Sequence, residues 1–333
     1  MTAPRLSVVM PVHNALPYLE AAIRSIVDQS LEDFEFVILD DCSTDGSSEV
    51  LKDWAARDSR IRLIQAERRL GPAGSSNRVV AESRGTLVAR TDADDISHPD
   101  RLARQAAVFD ANEAAALVAS LHETIDGDGH KVREADVSRL VRRSPFAPFV
   151  HGSIMFRRDA FDRLGGYRSA CDYWEDIDLF VRIARVGKIL VIPESLYSHR
   201  IAATSTRLTS RRDDVAGAYG RMYQCLERYI QGEGYEDLLD APAPGTVAPG
   251  TFTLLGSPVV WAGGSPKLLR PLLTGGHLSA NLESAAVLVW TAWADISPRS
   301  LRLFLRAFLD IRNRRVRGEV KGRNWIEWEP PHG

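Results

Sequence analysis

FEFVILDDCSTDGS, residues 34–47, and GTLVARTDADD, residues 85–95, decide the fold: each is a short apolar run that stops abruptly at carboxylates and passes into turn residues. Runs of this length without polar alternation read as strands buried on both faces. Working outward, LSVVM (6–10) and IRLIQ (61–65) are strands of the same kind. Between the strands lie helical patterns: Pro17 opens one with Leu19, Ile23, Ile26 and Val27 on one face. A second follows the Ser43–Gly46 turn as far as Trp54, and a third begins after Gly71-Pro72. Alternation of strands and helices of this size predicts a doubly wound, mainly parallel α/β sheet flanked by helices.

The rhythm loosens between about Ser120 and Arg200, where GDGH (127–130), HGSIMF (151–156) and Gly165-Gly166-Tyr167 are turn-rich or apolar. YWEDIDLFVRIARVG (173–187) then predicts a helix with Ile177, Phe180, Val181 and Ala184 on its apolar face, and KILVIP (188–193) a strand stopped by Pro193. Beyond Thr206 the pattern is mostly helical, interrupted by the Pro/Gly-rich APAPGTVAPG at 241–250. The expected organisation is a catalytic α/β domain over 1–205 and a helical region over 206–333.

Apolar residues at 44% and charged residues at 26% mark a globular chain, and a net charge of -2 offers no general field for nucleic acid. The three cysteines, Cys42, Cys171 and Cys225, have no paired spacing, which fits a reducing cytoplasm better than a disulfide framework. The longest late apolar run, Ala285–Ala294, falls well short of the ~20 residues that cross a bilayer.

In a doubly wound sheet the ligand lies beyond the carboxyl ends of the strands. That rule selects three loops: Pro11–Asn14, Asp40–Asp45 and Asp92–Asp95. Crowded carboxylates such as Asp92, Asp94 and Asp95 repel, and a divalent cation relieves the repulsion while leaving positions for a diphosphate. The competing reading is an Asp-rich turn that caps the next helix. Asp41 can accept the imide N–H of uracil or thymine, or a ribose hydroxyl, whereas Asp45 is explained by turn chemistry. Glu175, Asp176 and Asp178 start a helix, where carboxylates are favoured by the macrodipole in any case.

Taken together, SVVMPVHNALPYLEAAIRSIVDQSLEDFEFVILDDCSTDGS, LGPAGSSNRVVAESRGTLVARTDADDISHPDRL, HGSIMFRR, LGGY and WEDIDLFVRIARVG resemble the family 2 glycosyltransferases over about the first 200 residues. The resemblance implies a GT-A fold and an inverting, metal-dependent transfer of a sugar from a nucleoside diphosphate, UDP or dTDP, to a hydroxyl acceptor. It places Pro11, His13, Asn14 and Asp41 around the donor nucleotide, Asp92 near the ribose or diphosphate, and Asp94 on Mn²⁺ or Mg²⁺. Asp176 would be the catalytic base, Glu175 and Trp174 would shape the acceptor side, and His199 would belong to a segment closing over the diphosphate. The implied acceptor is a cell-surface polysaccharide or a lipid-linked glycan. Two positions depart from the family pattern: His13 replaces an aromatic residue, and Ser76 replaces the Arg before Asn77. His151 is a further acceptor-side candidate, with a satisfied structural histidine as the alternative.

The window 299–323 holds nine basic and two acidic residues around an apolar stripe of Leu301, Phe304, Leu305, Phe308 and Leu309. It could rest on the inner face of an anionic membrane or pack on the core. Two further readings stay open: a sugar nucleotidyltransferase, and a non-catalytic nucleotide-sugar-binding or scaffold protein of the same fold.

Overall fold

The computed structural model describes residues 4–134, 147, 149–201, parts of 218–240, the strands at 251–254 and 257–260, and 325–328. The chain divides into two compact units, one of Met1–Thr209 with Val316–Pro331, the other of Ser210–Arg315 with His332–Gly333.

The first unit opens with β1 (Leu6–Val12), α1 (Leu19–Val27), β2 (Glu35–Asp40), α2 (Ser47–Arg57), β3 (Ile61–Gln65), α3 (Gly71–Glu82) and β4 (Leu87–Arg90). All four strands are parallel neighbours in the order β4-β1-β2-β3. The chain therefore moves away from β1 through β2 and β3, then crosses back to its other side at β4. The point where the winding reverses lies between β1 and β4, and ligand sites of such sheets form beyond it.

Residues along β1 alternate between two cores. Val8 and Met10 pack with Leu19, Ile23 and Ile26 of α1, while Val9 packs with Val79 and Val80 of α3. Ile23 and Ile26 are wholly buried, each burial stabilising by roughly 1.5–3 kcal/mol. Pro11 is tolerated in this central strand because the β1–β4 pairing ends at Val9 and Arg90, so its missing N–H leaves no ladder bond unmade.

The sheet continues through β5 (Ile96–Ser97), α4 (Arg101–Ala111), β6 (Ala115–Ile125), β7 (Lys131–Arg133), β8 (Ile154–Arg157), α5 (Arg158–Arg163), α6 (Glu175–Ile183) and β9 (Lys188–Arg200). β8 inserts antiparallel between β4 and β6, and β6 pairs with β9 in parallel. Pro193 does not stop β9 as the sequence suggested. The pairing with β6 steps from Ile192 to Ser195 across a register shift, so Pro193 sits in a bulge where its lack of a donor costs no bond.

α6 buries Leu179, Phe180, Val181 and Ile183, while Asp176 and Ile177 are half-exposed. Residues Ile326–Trp328 form β12, which returns to the same sheet antiparallel to β9, with Trp328 edge-on to Phe149 at 5.7 Å. In the second unit, β10 (Thr251–Leu254) and β11 (Ser257–Val260) form an antiparallel pair. The Pro/Gly-rich stretch 241–250 and the Arg-rich window 299–323 lie outside the described residues. Among the described residues, no helix is long and apolar enough to cross a membrane.

Candidate active site

The three loops selected by sequence converge beyond β1, β2 and β4. His13 Nδ1 lies 2.9 Å from the carbonyl oxygen of Asp41, which can only accept, so Nδ1 carries the proton. His13 Nε2 is then the acceptor for the Asn14 side-chain amide at 3.3 Å. Asn14 also accepts the Thr44 N–H at 2.8 Å through Oδ1, and its own N–H donates to Ser43 Oγ at 3.1 Å. Asn14 adopts φ 51°, a left-handed conformation that asparagine tolerates better than most residues. Its side chain thus ties the first loop to the second.

Asp45 holds the turn as expected: it accepts the N–H groups of Ser47 and Leu16, each at 3.0 Å, which with the Ser47 side chain outweigh partial desolvation and hold its carboxyl below the usual range. Asp40 accepts the Ser43 N–H at 3.0 Å and the Ser48 hydroxyl. Asp41 is almost fully buried and accepts three donors: the Arg69 guanidinium, the Leu70 N–H at 2.8 Å and the Gly71 N–H at 3.2 Å. It therefore caps the start of α3. Asp172 accepts the next free amide, Ala73 N–H, at 3.0 Å. Arg69 was not singled out from sequence, since only the folded loop brings it onto Asp41.

At the end of β4, Arg90 is buried and forms an ion pair with Asp92. The Tyr197 hydroxyl accepts the Asp92 N–H at 3.0 Å. Gly152 lies against both: a Cβ there would overlap the Tyr197 hydroxyl and come within 2.8 Å of Asp92 Oδ2. Asp94 is half-buried beside Asp92, and burial plus the Asp92 charge push its carboxyl up to about 6. Asp95 is turned inward; its Oδ1 accepts the Arg200 N–H at 2.7 Å and its Oδ2 has no hydrogen-bond partner among the described residues. Asp92 and Asp94 place carboxylates two residues apart at the end of β4, and oxygen donors of this kind suit a hard divalent cation, so the residues present fit such an ion.

Among the described residues, the group of three potential ligands whose atoms lie within 4.8 Å of one another is Asp126, Asp128 and His130, at the β6–β7 turn. The Asp126 carboxylate there accepts the N–H groups of Asp128 and His130, which accounts for it as a turn residue.

On the other wall, Asn77 of α3 binds both main-chain groups of Tyr167, each at 2.8 Å, and the Tyr167 hydroxyl meets His151 Nε2 at 2.7 Å. Burial and the Arg90 charge hold His151 neutral. Ser76 points into the core and is buried. Trp174 is buried at the start of α6, and Glu175 beside it is buried with Oε2 unpartnered among the described residues. Burial, then the neighbouring Asp176, push the Glu175 carboxyl up to about 8. Arg90, Glu175, Asp176 and Asp92 all lie near enough to the buried Tyr167 hydroxyl to act on its charge, which brings the start of α6 near the end of β4. Asp178 lies apart from it, buried against Arg182 at 2.8 Å to Nε. His199, at the end of β9, packs edge-on against His122 at 5.9 Å.

A doubly wound sheet with carboxylates at its reversal point serves many phosphate- and nucleotide-binding proteins, and similarity to known proteins narrows the choice. The pattern of the family described as Glycosyl transferase family 2 matches residues 7–165. The chain is 35% identical over 207 residues to EpsE of Bacillus subtilis (strain 168), described as a glycosyltransferase, spanning 60% of this chain and 74% of EpsE. It is 33% identical over 210 residues to the glycosyltransferase MJ1057 of Methanocaldococcus jannaschii, spanning 60% of this chain and 72% of that one. The fold matches S. aureus TarS in complex with UDP-GlcNAc (TM-score 0.56, 16% identity, 85% of this chain and 79% of TarS). It also matches the Pyrobaculum calidifontis mannosyltransferase PcManGT in complex with GDP-Man and Mn²⁺ (TM-score 0.51, 21% identity, 96% and 84%). The chain belongs to family 2 of the glycosyltransferases and has the GT-A fold, which sets aside the nucleotidyltransferase reading.

Proposed function

We propose that this glycosyltransferase moves a sugar, with inversion, from a UDP or dTDP sugar to a hydroxyl of a cell-surface polysaccharide or lipid-linked glycan. The observation that carries the reading is that the loops at 11–14, 40–45 and 92–95 leave the same end of the neighbouring parallel strands β1, β2 and β4, the first two tied together through His13 and Asn14. Pro11, His13, Asn14 and Asp41 hold the nucleotide end of the donor, with Asn14 acting through the loop it pins. Asp92 faces the ribose and diphosphate. Asp94 would hold a divalent cation, Mn²⁺ or Mg²⁺, which would supply positive charge to the departing diphosphate.

Asp176, half-exposed at the start of α6, takes the proton of the acceptor hydroxyl while that oxygen bonds to the anomeric carbon and the bond to the diphosphate breaks. Trp174 and Glu175 line the acceptor side beneath it, and His199 lies toward the segment that follows β9. No protein nucleophile is required. A relative from Myxococcus xanthus is named an O-antigen biosynthesis protein, 29% identical over 247 residues, of which this chain covers 19%. That name supports a glycan acceptor, and such acceptors fit a cytoplasmic enzyme resting on the membrane through 299–323. In this reading 1–205, with β12 added to its sheet, is the catalytic domain, and the remainder of 206–333 serves the acceptor.

The test is nucleoside diphosphate release from UDP and dTDP sugars in the presence of Mn²⁺, for the parent and Asp94→Asn. The parent releases the diphosphate and the variant, still folded by its melting profile, does not. Parental turnover in Asp94→Asn overturns the assignment, and a parent that binds donor but never releases diphosphate supports a non-catalytic protein.

A further inference from the structure

The contacts made by Arg200 fall on three separate segments of the chain. Its main-chain N–H donates to Asp95 Oδ1 at 2.7 Å, and its Nε donates to the main-chain oxygen of Asp94 at 2.7 Å. Its Nη1 donates to the main-chain oxygens of Asp126 at 2.9 Å and Gly127 at 3.0 Å. The guanidinium lies over the Tyr18 ring, 4.5 Å from its centroid, at the entrance to α1. With 5% of its surface exposed, the side chain is held from every direction.

These contacts have a specific chemical sense. The guanidinium takes the main-chain carbonyl of Asp94 rather than its carboxylate, whereas Asp95 is drawn inward by its own carboxylate. Gly127 fits the same arrangement, since a Cβ there would approach the Tyr18 hydroxyl at 3.2 Å. Groups that act through a metal ligand's backbone or second atom tune affinity by fixing orientation, without touching the ion.

We propose that Arg200 is a positioning residue for the cation: by splinting the Asp94–Asp95 turn to the 126–127 hairpin and to Tyr18, it presents the Asp94 carboxylate. The inference rests on the assignment of Asp94 to the metal made above. A purely structural arginine would affect folding and all ligands alike; a positioning one affects the metal selectively.

The test compares the parent with Arg200→Gln and Tyr18→Leu. UDP binding is measured by calorimetry with chelator present, Mn²⁺ binding in the presence of UDP by electron paramagnetic resonance, and folding by thermal melting. In Arg200→Gln, metal-free UDP affinity stays at the parental level while Mn²⁺ binds about 10- to 100-fold more weakly, and raising Mn²⁺ recovers turnover. Tyr18→Leu removes only the aromatic platform and shifts Mn²⁺ affinity in the same direction by less. If Arg200→Gln does not fold, Tyr18→Leu decides. Parental Mn²⁺ affinity in the folded variant, or equal losses of Mn²⁺ and metal-free UDP, overturns the inference. A parent that binds UDP but no manganese overturns the metal assignment itself and this inference with it.

Discussion

Arg69 reaches across the crevice wall to the buried carboxylate of Asp41, which also accepts the Leu70 and Gly71 amides at the start of α3. A carboxylate has about four acceptor positions, so one remains for a nucleobase. If the imide N–H of uracil takes it, Asp41→Asn weakens UDP by about 1.5–3 kcal/mol. CDP, whose cytosine has no N–H at that ring position, loses less, and calorimetry with both nucleotides measures the ratio. Equal losses would make Asp41 only a holder of the turn.

Asp176 and Asp178 separate function from stability. Asp178 is buried on Arg182, with Arg168 3.6 Å away, so Asp178→Asn uncovers a buried cation and costs about 3–5 kcal/mol of stability. Asp176→Asn keeps the melting temperature and loses transfer by ~10²- to 10⁴-fold, as expected for a base. Melting curves and initial rates on both variants check this, and full transfer by Asp176→Asn would remove it from the mechanism.

Glu175 makes stability depend on pH in a direction opposite to that of a paired carboxylate. Its carboxyl is raised from 4.5 to about 8 by burial and by Asp176. Between those values the folded chain keeps a proton that the unfolded chain has released, so folding weakens as pH rises through the window. Glu175→Gln removes that dependence. Its melting temperature should match the parent's at about pH 5 and exceed it at about pH 8.5; no difference at the higher pH would count against a buried neutral Glu175.

Gly152→Ala tests the floor beneath Asp92. The added methyl must push away the Tyr197 hydroxyl, which holds the Asp92 N–H. Overpacking of this kind costs about 1–3 kcal/mol in stability, whereas a displacement near 1 Å at reacting groups costs about 10²-fold in rate. The variant should remain folded by circular dichroism and be nearly inactive in diphosphate release. Parental activity would mean that Tyr197 does not set the position of Asp92.

The first four strands were legible because each is an apolar run closed by turn residues, and their reversal followed from the alternation of elements. β8 was harder: nothing local in HGSIMF says that it runs antiparallel between β4 and β6, a pairing fixed only by long-range register. β6 and β12 went unrecognised for the same reason, and β9 was cut short because a proline reads locally as a stop while a bulge exists only against a partner. In the site, the carboxylates announced themselves by crowding at strand ends. Arg69, Arg90, Tyr197 and Arg200 did not, since arginine and tyrosine are common everywhere and acquire meaning only from what they touch. Asp178 reads from sequence as a carboxylate favoured at a helix start, like Glu175 and Asp176, although Arg182 one helical turn on was the available sign of a buried pair.

β12 gives the sheet a temporal property. Because Ile326–Trp328 pairs with Val191–Ile189, the edge beside β9 stays open during synthesis until residues 326–328 have been made, long after β9 itself has emerged. Until then Phe149 lacks the Trp328 ring, and β9 offers an unpaired edge to any neighbouring nascent chain. Polyribosomes crowded with half-made copies are where this enzyme is most exposed to mispairing.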